Sequence, residues 1–113
     1  MTDATDLINQ HCSDIPTGTK GLVIPTIESY LNMLPGWDVS LDYSSLIKTF
    51  KFKNYHQTLA FINAVAWIAH QEDHHPDIQF GYNQCVITLK THSIKGLSQN
   101  DVIMAAKINA LFT

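Results

Sequence analysis

Residues 46–91 read LIKTFKFKNYHQTLAFINAVAWIAHQEDHHPDIQFGYNQCVITLKT, and this stretch decides the fold. It begins with an alternating segment, Leu46–Lys53, in which Phe50 and Phe52 share one face and polar residues share the other. Alternation with a period of two is typical of a half-buried antiparallel strand. The stretch therefore starts with a strand that has one apolar face and one solvated face.

A long helix is predicted to follow this strand, over residues 55–74. Asn54 can cap its first turn through the side-chain oxygen. Residues 59–69 are apolar almost all round, which indicates burial on more than one side, against a sheet and against another helix or a second subunit. Because Pro76 biases the preceding residue, His75, away from helical backbone, the helix should end at the histidine pair.

The rest of the chain completes the pattern on both sides of this helix. We expect a short helix over residues 25–34, strands over 37–41, 78–82 and 85–91, and a last helix after the capping box Ser98–Asp101. The order α-β-β-α-β-β-α predicts an α+β fold, a four-stranded antiparallel sheet with three helices packed on one face.

Residues 1–22 are polar and show no sustained periodicity, so they are predicted to be a flexible leader, and residues 23–113 to form a single domain. The start of the chain lacks the basic-then-apolar layout of a secretory signal. No apolar run reaches the roughly 18 residues that a membrane helix needs. We therefore expect a cytoplasmic protein without a membrane partner, with Cys12 and Cys85 as free thiols.

The charged residues limit the kinds of partner. The net charge is −3, and all seven basic residues are lysines. A chain without arginine lacks the planar guanidinium that contacts phosphate and guanine bidentately, so direct nucleic-acid binding is not expected. The composition is compatible with a planar neutral heterocycle as a ligand, because binding such a molecule needs hydrogen bonds rather than bulk positive charge.

Histidines cluster at the end of the long helix. His74 and His75 are adjacent, and His70 lies four residues before His74, on the same face of a continuous helix. His92 follows a later strand. Histidine gives and takes protons near neutral pH. Two or more histidines around a planar substrate suit a reaction that protonates a leaving hydroxyl while a ring nitrogen loses its proton.

Two other interpretations of these histidines stay open at this point. A helix C-terminus favours positive charge, so the pair could be an ordinary helix end. The His70-x3-His74 spacing also occurs in zinc sites. However, no glutamate stands where an HExxH motif requires one, and neither cysteine falls at a ligand spacing.

A longer pattern connects the histidines with other residues. After His70 come His74-His75-Pro76-Asp77, then Thr91-His92, then Gly96-Leu97-Ser98 with Asp101. With this pattern, residues 24–111 resemble the pterin-4a-carbinolamine dehydratase family.

The resemblance implies a hydro-lyase that converts 4a-hydroxytetrahydropterin to quinonoid dihydropterin and water by histidine acid–base catalysis. Such an enzyme recycles the pterin of aromatic amino acid hydroxylases. The resemblance also implies that no metal and no organic cofactor is used, and that the protein is a homodimer or homotetramer. An aromatic amino acid hydroxylase is the further partner that it implies.

The resemblance implies three catalytic residues, His74, His75 and His92. It implies that Asp73, Thr91 and Ser93 bind the substrate, and that His70 and Asp101 have accessory roles. As a hypothesis, His74 and His92 exchange the protons, and His75 orients the pterin and its hydroxyl. For Asp101 the favoured role is the helix cap rather than direct catalysis.

Two alternative functions remain beside the dehydratase. Members of the family also act as dimerisation cofactors of a transcription factor, and regulation of a hydroxylase would be a related role. The dimerisation role would use the outer helix surface rather than the histidines. A histidine-ligated metal enzyme is the other alternative.

Overall fold

The computed structural model describes residues 3–112; Met1, Thr2 and Thr113, at the ends of the predicted leader and domain, lie outside the described residues. Four α-helices and four strands make up this part of the chain. In chain order they are α1 (Ala4–Asn9), α2 (Ile24–Leu31), β1 (Asp38–Val39), β2 (Leu46–Lys51), α3 (Tyr55–Glu72), β3 (Asp77–Phe80), β4 (Gln84–Leu89) and α4 (Gln99–Asn109). Two short 3-10 helices cover His92–Ile94 and Ala110–Phe112.

The strands form one antiparallel sheet in the order β1-β2-β4-β3. β2 and β4 pair at its centre, where Phe50 lies opposite Cys85, and β1 and β3 are the edges. The sheet and its helices confirm the predicted α+β fold.

One face of the sheet carries the core. Along β4 the buried residues alternate with partly exposed ones, as the period of two requires: Cys85, Ile87 and Leu89. α4 packs against β4 and is buried over nearly its whole length. α3 adds one buried stripe at helical spacing: Thr58, Phe61, Val65 and Ala69.

The other side of α3 is not covered by any part of residues 3–112. Its largest apolar side chain, Trp67, is 60 % exposed. As predicted, α3 packs against the sheet and against another helix, since it contacts β4 and α4, which cover the stripe that faces them. Although α3 is a helix of 18 residues, no helix within residues 3–112 is both long and apolar enough to cross a bilayer.

The segment predicted as a flexible leader differs from that prediction. It contains a fourth helix, α1, which begins with a capping box between Asp3 and Asp6, and its Leu7 is fully buried. α1 packs against α4, where Nζ of Lys107 donates to the carbonyl oxygen of Ile8 at 2.6 Å. A six-residue helix is too short to show a hydrophobic period, so its burial by a helix far along the chain left no signal in the sequence.

Candidate active site

The histidine pair follows a left-handed turn that ends α3. Asp73 has φ 52° and ψ 42°, and its backbone N–H donates to the carbonyl oxygen of Ala69. The backbone N–H of His74 donates to the same oxygen at 3.3 Å. Aspartate adopts this conformation more readily than most residues. Because the helix ends before His74, His70 and His74 do not share a helix face, contrary to the prediction from their spacing.

A buried carboxylate holds the ring of His74. Nε2 of His74 lies 2.7 Å from Oδ1 of Asp101, with 11 % of the histidine side chain and none of the aspartate side chain exposed. Oδ2 of Asp101 accepts hydrogen bonds from Oγ1 of Thr91 at 2.7 Å and from the backbone N–H of Ser98 at 2.9 Å. Since an ionised carboxylate only accepts hydrogen bonds, Nε2 carries the proton in this pair, and Nδ1 is left for another partner.

These residues border a cavity of about 560 Å³. Its lining comes from the end of α3, from the chain after β4, from one residue of α4 and from the N-terminal segment: Glu72–Asp77, Lys90–Ser93, Asn100 and Cys12–Ile15. The cavity brings together all six residues predicted as catalytic or substrate-binding. His75 and His92 are exposed there, whereas His74 is partly buried.

Two of the predicted substrate-binding residues, Thr91 and Ser93, use their hydroxyls for hydrogen bonds within the protein. Thr91 is buried, and its Oγ1 lies 2.7 Å from Oγ of Ser98 in addition to its bond to Asp101. Oγ of Ser93 donates to the carbonyl oxygen of Ile15 at 2.7 Å. Both hydroxyls therefore hold parts of the site together.

The two accessory residues lie in different places. Asp101 sits beside His74, and it also completes the predicted capping box of α4, so one carboxylate caps a helix and bonds a histidine. His70 is exposed on α3, with its ring 5.6 Å from that of Trp67, and it lines another cavity, near Lys107. The structure does not bring His70 to the histidine cavity.

A family model described as pterin 4 alpha carbinolamine dehydratase matches residues 22–111, which include every cavity residue except Cys12–Ile15. The chain belongs to this family. A relative from Hydrogenovibrio crunogenus, named "Putative pterin-4-alpha-carbinolamine dehydratase", is 64 % identical over 111 residues, which are 98 % of this chain and 98 % of the relative.

Two solved structures, one described as a pterin dehydratase and one as pterin dehydratase-like, are similar in fold. A Brucella melitensis protein described as a transcriptional coactivator/pterin dehydratase matches with a TM-score of 0.78 and 33 % identity, over 81 % of this chain and 98 % of that chain. A pterin dehydratase-like protein described as a RuBisCO assembly factor in the alpha-carboxysome matches with a TM-score of 0.59 and 32 % identity, over 67 % of this chain and 88 % of that one.

In this member of the pterin carbinolamine dehydratase family, sequence reasoning missed one part of the cavity. Cys12–Ile15, Glu72 and Asn100 line it but were not among the predicted site residues. The backbone N–H of Cys12 bonds to Glu72, 60 positions away, and that of Ser13 bonds to Asn100, 87 positions away. A polar segment without periodicity carries no local signal for such distant contacts.

A zinc site needs three or four side-chain ligands that converge on one point. Within residues 3–112, no three side chains of His, Cys, Asp or Glu converge in a way that could hold a metal ion. His70 and His74 do not act as a helical ligand pair, because the turn at Asp73 separates them. In addition, Nε2 of His74 is already bonded to Asp101.

Proposed function

We propose that this chain is a hydro-lyase that dehydrates 4a-hydroxytetrahydropterin to quinonoid dihydropterin and water. The observation that carries the proposal is the 2.7 Å contact between His74 and Asp101 at a cavity that His75 and His92 also line. Membership of the pterin carbinolamine dehydratase family supports a pterin as the substrate.

The reaction needs two proton transfers around one planar ring. The bond between C4a and the hydroxyl oxygen breaks, the proton on N5 is lost, and a double bond forms between C4a and N5. The hydroxyl takes one proton and leaves as water, so the protein gains and loses one proton in each turnover. In the proposed mechanism His74 and His92 exchange these protons, and His75 orients the pterin and its hydroxyl.

Asp101 supports this mechanism by positioning His74. Its Oδ1 keeps the proton of His74 on Nε2, which leaves Nδ1 as the ring atom that can accept or return a proton. When Nδ1 takes up a proton, the adjacent carboxylate stabilises the imidazolium cation. Thr91 and the backbone of Ser98 hold the carboxylate itself in place.

The decisive experiment generates the carbinolamine with an aromatic amino acid hydroxylase and follows its dehydration. The wild-type protein should accelerate this step over buffer, and His74→Ala should lower the acceleration about 10²–10⁴-fold, the typical effect of one positioned proton-transfer group. His56→Ala is the control, because this exposed histidine of α3 does not line the cavity. A wild-type protein that leaves the rate at the buffer value would refute the proposal.

The proposed proton exchange requires neither a metal nor an organic cofactor. Dialysis against a chelator should therefore leave the rate of carbinolamine dehydration unchanged. A rate that falls on chelation and returns on addition of zinc would instead support the metal-enzyme alternative.

We further propose that the enzyme recycles the pterin of an aromatic amino acid hydroxylase and that it works as a homodimer or homotetramer. Support for self-association comes from the uncovered side of α3, where Trp67 is 60 % exposed, and from the open sheet edges β1 and β3. A hydroxylase supplied with a limiting amount of tetrahydropterin and a recycling reductase should turn over faster with this protein than without it.

A regulatory role in binding another protein is the second candidate function. The observation that favours it is Trp67, which is 60 % exposed on the uncovered side of α3, and the two solved relatives described as a coactivator and as an assembly factor are consistent with such a role. Replacement of both His74 and His92 by alanine separates the candidates. A purely binding protein would keep its cellular activity with these changes, whereas a dehydratase would lose it.

A further inference from the structure

The N-terminal wall, residues Cys12–Ile15, is a side of the histidine cavity that the family model does not cover. Two hydrogen bonds join the backbone of Ser13 to the side-chain amide of Asn100, in a pattern like that between paired strands. The backbone N–H of Ser13 donates to Oδ1 of Asn100 at 3.0 Å, and its carbonyl oxygen accepts from Nδ2 at 2.7 Å. Two hydrogen bonds to one buried amide give this residue a defined position and orientation.

Glu72 holds the wall at its other end. Oε1 of Glu72 accepts a hydrogen bond from the backbone N–H of Cys12 at 2.7 Å. Oε2 lies 2.9 Å from Nδ1 of His11 and 3.8 Å from Nζ of Lys107. Only 6 % of the Glu72 side chain is exposed. Burial by itself raises the pKa of Glu72, but the Cys12 N–H and the neighbouring His11 and Lys107 outweigh it, so the pKa lies below its ordinary value. Glu72 therefore stays ionised at neutral pH and holds Cys12 with a charged acceptor.

Each contact that holds the wall comes from a residue next to a predicted site residue. Glu72 precedes the turn residue Asp73, and Asn100 precedes Asp101. The third contact, from Ser93 to the carbonyl oxygen of Ile15, comes from the residue after His92. The position of the wall is thereby coupled to three separate segments that carry the site.

We propose that Cys12–Ile15 forms a substrate-binding wall of the histidine cavity and that Glu72, Asn100 and Ser93 are the positioning residues that hold it there. The inference rests on the proposed pterin substrate. The side chains of Ser13 and Asp14 line the cavity and make no hydrogen bond to any residue within 3–112, so they are available to a ligand. The pyrimidine ring of a pterin carries amide and amino N–H donors, which hydroxyl and carboxylate oxygens accept.

The kinetic test compares two changes at Glu72. Glu72→Ala removes the acceptor for the Cys12 N–H, and we expect it to raise KM about tenfold while kcat stays within about twofold, because Asp101 still holds His74. Glu72→Gln keeps an acceptor oxygen and should restore most of the affinity. Gln99→Ala is the control, since Gln99 contacts the N-terminal segment at Gln10, outside the wall.

Cys12 provides a second measurement that does not depend on catalysis. Burial, and after it the negative charge of Glu72, raises the pKa of the Cys12 thiol to about 12, so its reaction with iodoacetamide should be slow. Cys85 is fully buried and should not react in the folded protein. A bound dihydropterin should slow the reaction of Cys12 further, because the wall would contact the ligand. Mass spectrometry after timed alkylation measures both rates.

The outcomes separate this inference from the proposed function. A wild-type protein that does not dehydrate the carbinolamine refutes the proposed function, and the alkylation experiment still tests the wall with dihydropterin. An active wild type whose Glu72→Ala variant keeps its KM refutes the wall alone. A variant that loses kcat at unchanged KM, or a saturating dihydropterin that leaves Cys12 unprotected, likewise overturns it.

Discussion

Asp101 uses its two carboxylate oxygens for different purposes. Oδ2 accepts the backbone N–H of Ser98, a contact across three positions that belongs to the capping box. Oδ1 contacts His74, 27 positions away in the chain. The capping box could be predicted from the sequence because both of its members lie in one helical turn. The histidine contact could not, because it depends on how α4 packs beside the end of α3.

At the scale of this residue we expect Asp101→Asn to lower kcat about tenfold or more, because a neutral amide does not stabilise an imidazolium cation. Asparagine keeps one acceptor oxygen and replaces the other by an amino group, so it also weakens one of the contacts of Asp101 with His74, Thr91 or Ser98, at a cost in stability of about 1 kcal/mol. Asn54→Ala is the matched control: it removes the cap of α3, where the asparagine accepts the Gln57 N–H at 2.9 Å, and leaves the cavity intact. Carbinolamine dehydration and urea unfolding measure the two effects. Equal loss of activity in both variants would show that Asp101 acts only through stability.

At the scale of the element, the end of α3 determines which way the histidines face. A continuous helix would have placed His74 on the same face as His70, which points away from the cavity. The left-handed residue Asp73 instead ends the helix at Glu72, two residues before the predicted end, and His74 then reaches Asp101. The prediction from Pro76 that the helix stops near this point is confirmed. The left-handed backbone conformation of Asp73 was not predicted.

This turn leads to a prediction about Asp73 that separates its backbone from its side chain. A β-branched residue in the left-handed region costs about 1–2 kcal/mol, so Asp73→Val should lower the free energy of unfolding and displace both histidines, with a loss of activity. Glycine adopts this conformation freely, so Asp73→Gly should keep the turn and most of the activity. Thermal unfolding and carbinolamine dehydration check both variants. A glycine variant as inactive as the valine variant would show that the carboxylate itself is needed.

At the scale of the whole molecule, residues 3–112 leave exposed apolar side chains and the sheet edges β1 and β3 without a partner among themselves. The helices cover one face of the sheet, and the outer side of α3 has no partner among residues 3–112. Trp67 is the largest side chain on that surface. A surface of this kind is characteristic of a subunit interface.

We therefore expect the purified protein to sediment as a homodimer or homotetramer, and Trp67→Lys to shift it towards smaller species by placing a charge in the interface. Leu41→Lys is the control, because Leu41 is fully exposed and lies outside α3. Sedimentation velocity at micromolar concentration measures the masses. A monomeric wild type would contradict the prediction, and equal effects of the two lysines would show that α3 is not the interface.

The sequence by itself determined the elements of the sheet, the long helix and the last helix, and the histidines of the candidate site. Their signals are local: a period of two, a period of 3.6, a cap within one turn and a proline that stops a helix. The tertiary structure alone decided three further points: the contact of Asp101 with His74, the place of His70 outside the cavity, and the ordering of the N-terminal segment as a wall. The first and the third depend on contacts between residues 27 to 87 positions apart, and the second depends on the left-handed turn at Asp73. Such contacts form only when helices and sheet pack, so no short stretch of sequence encodes them.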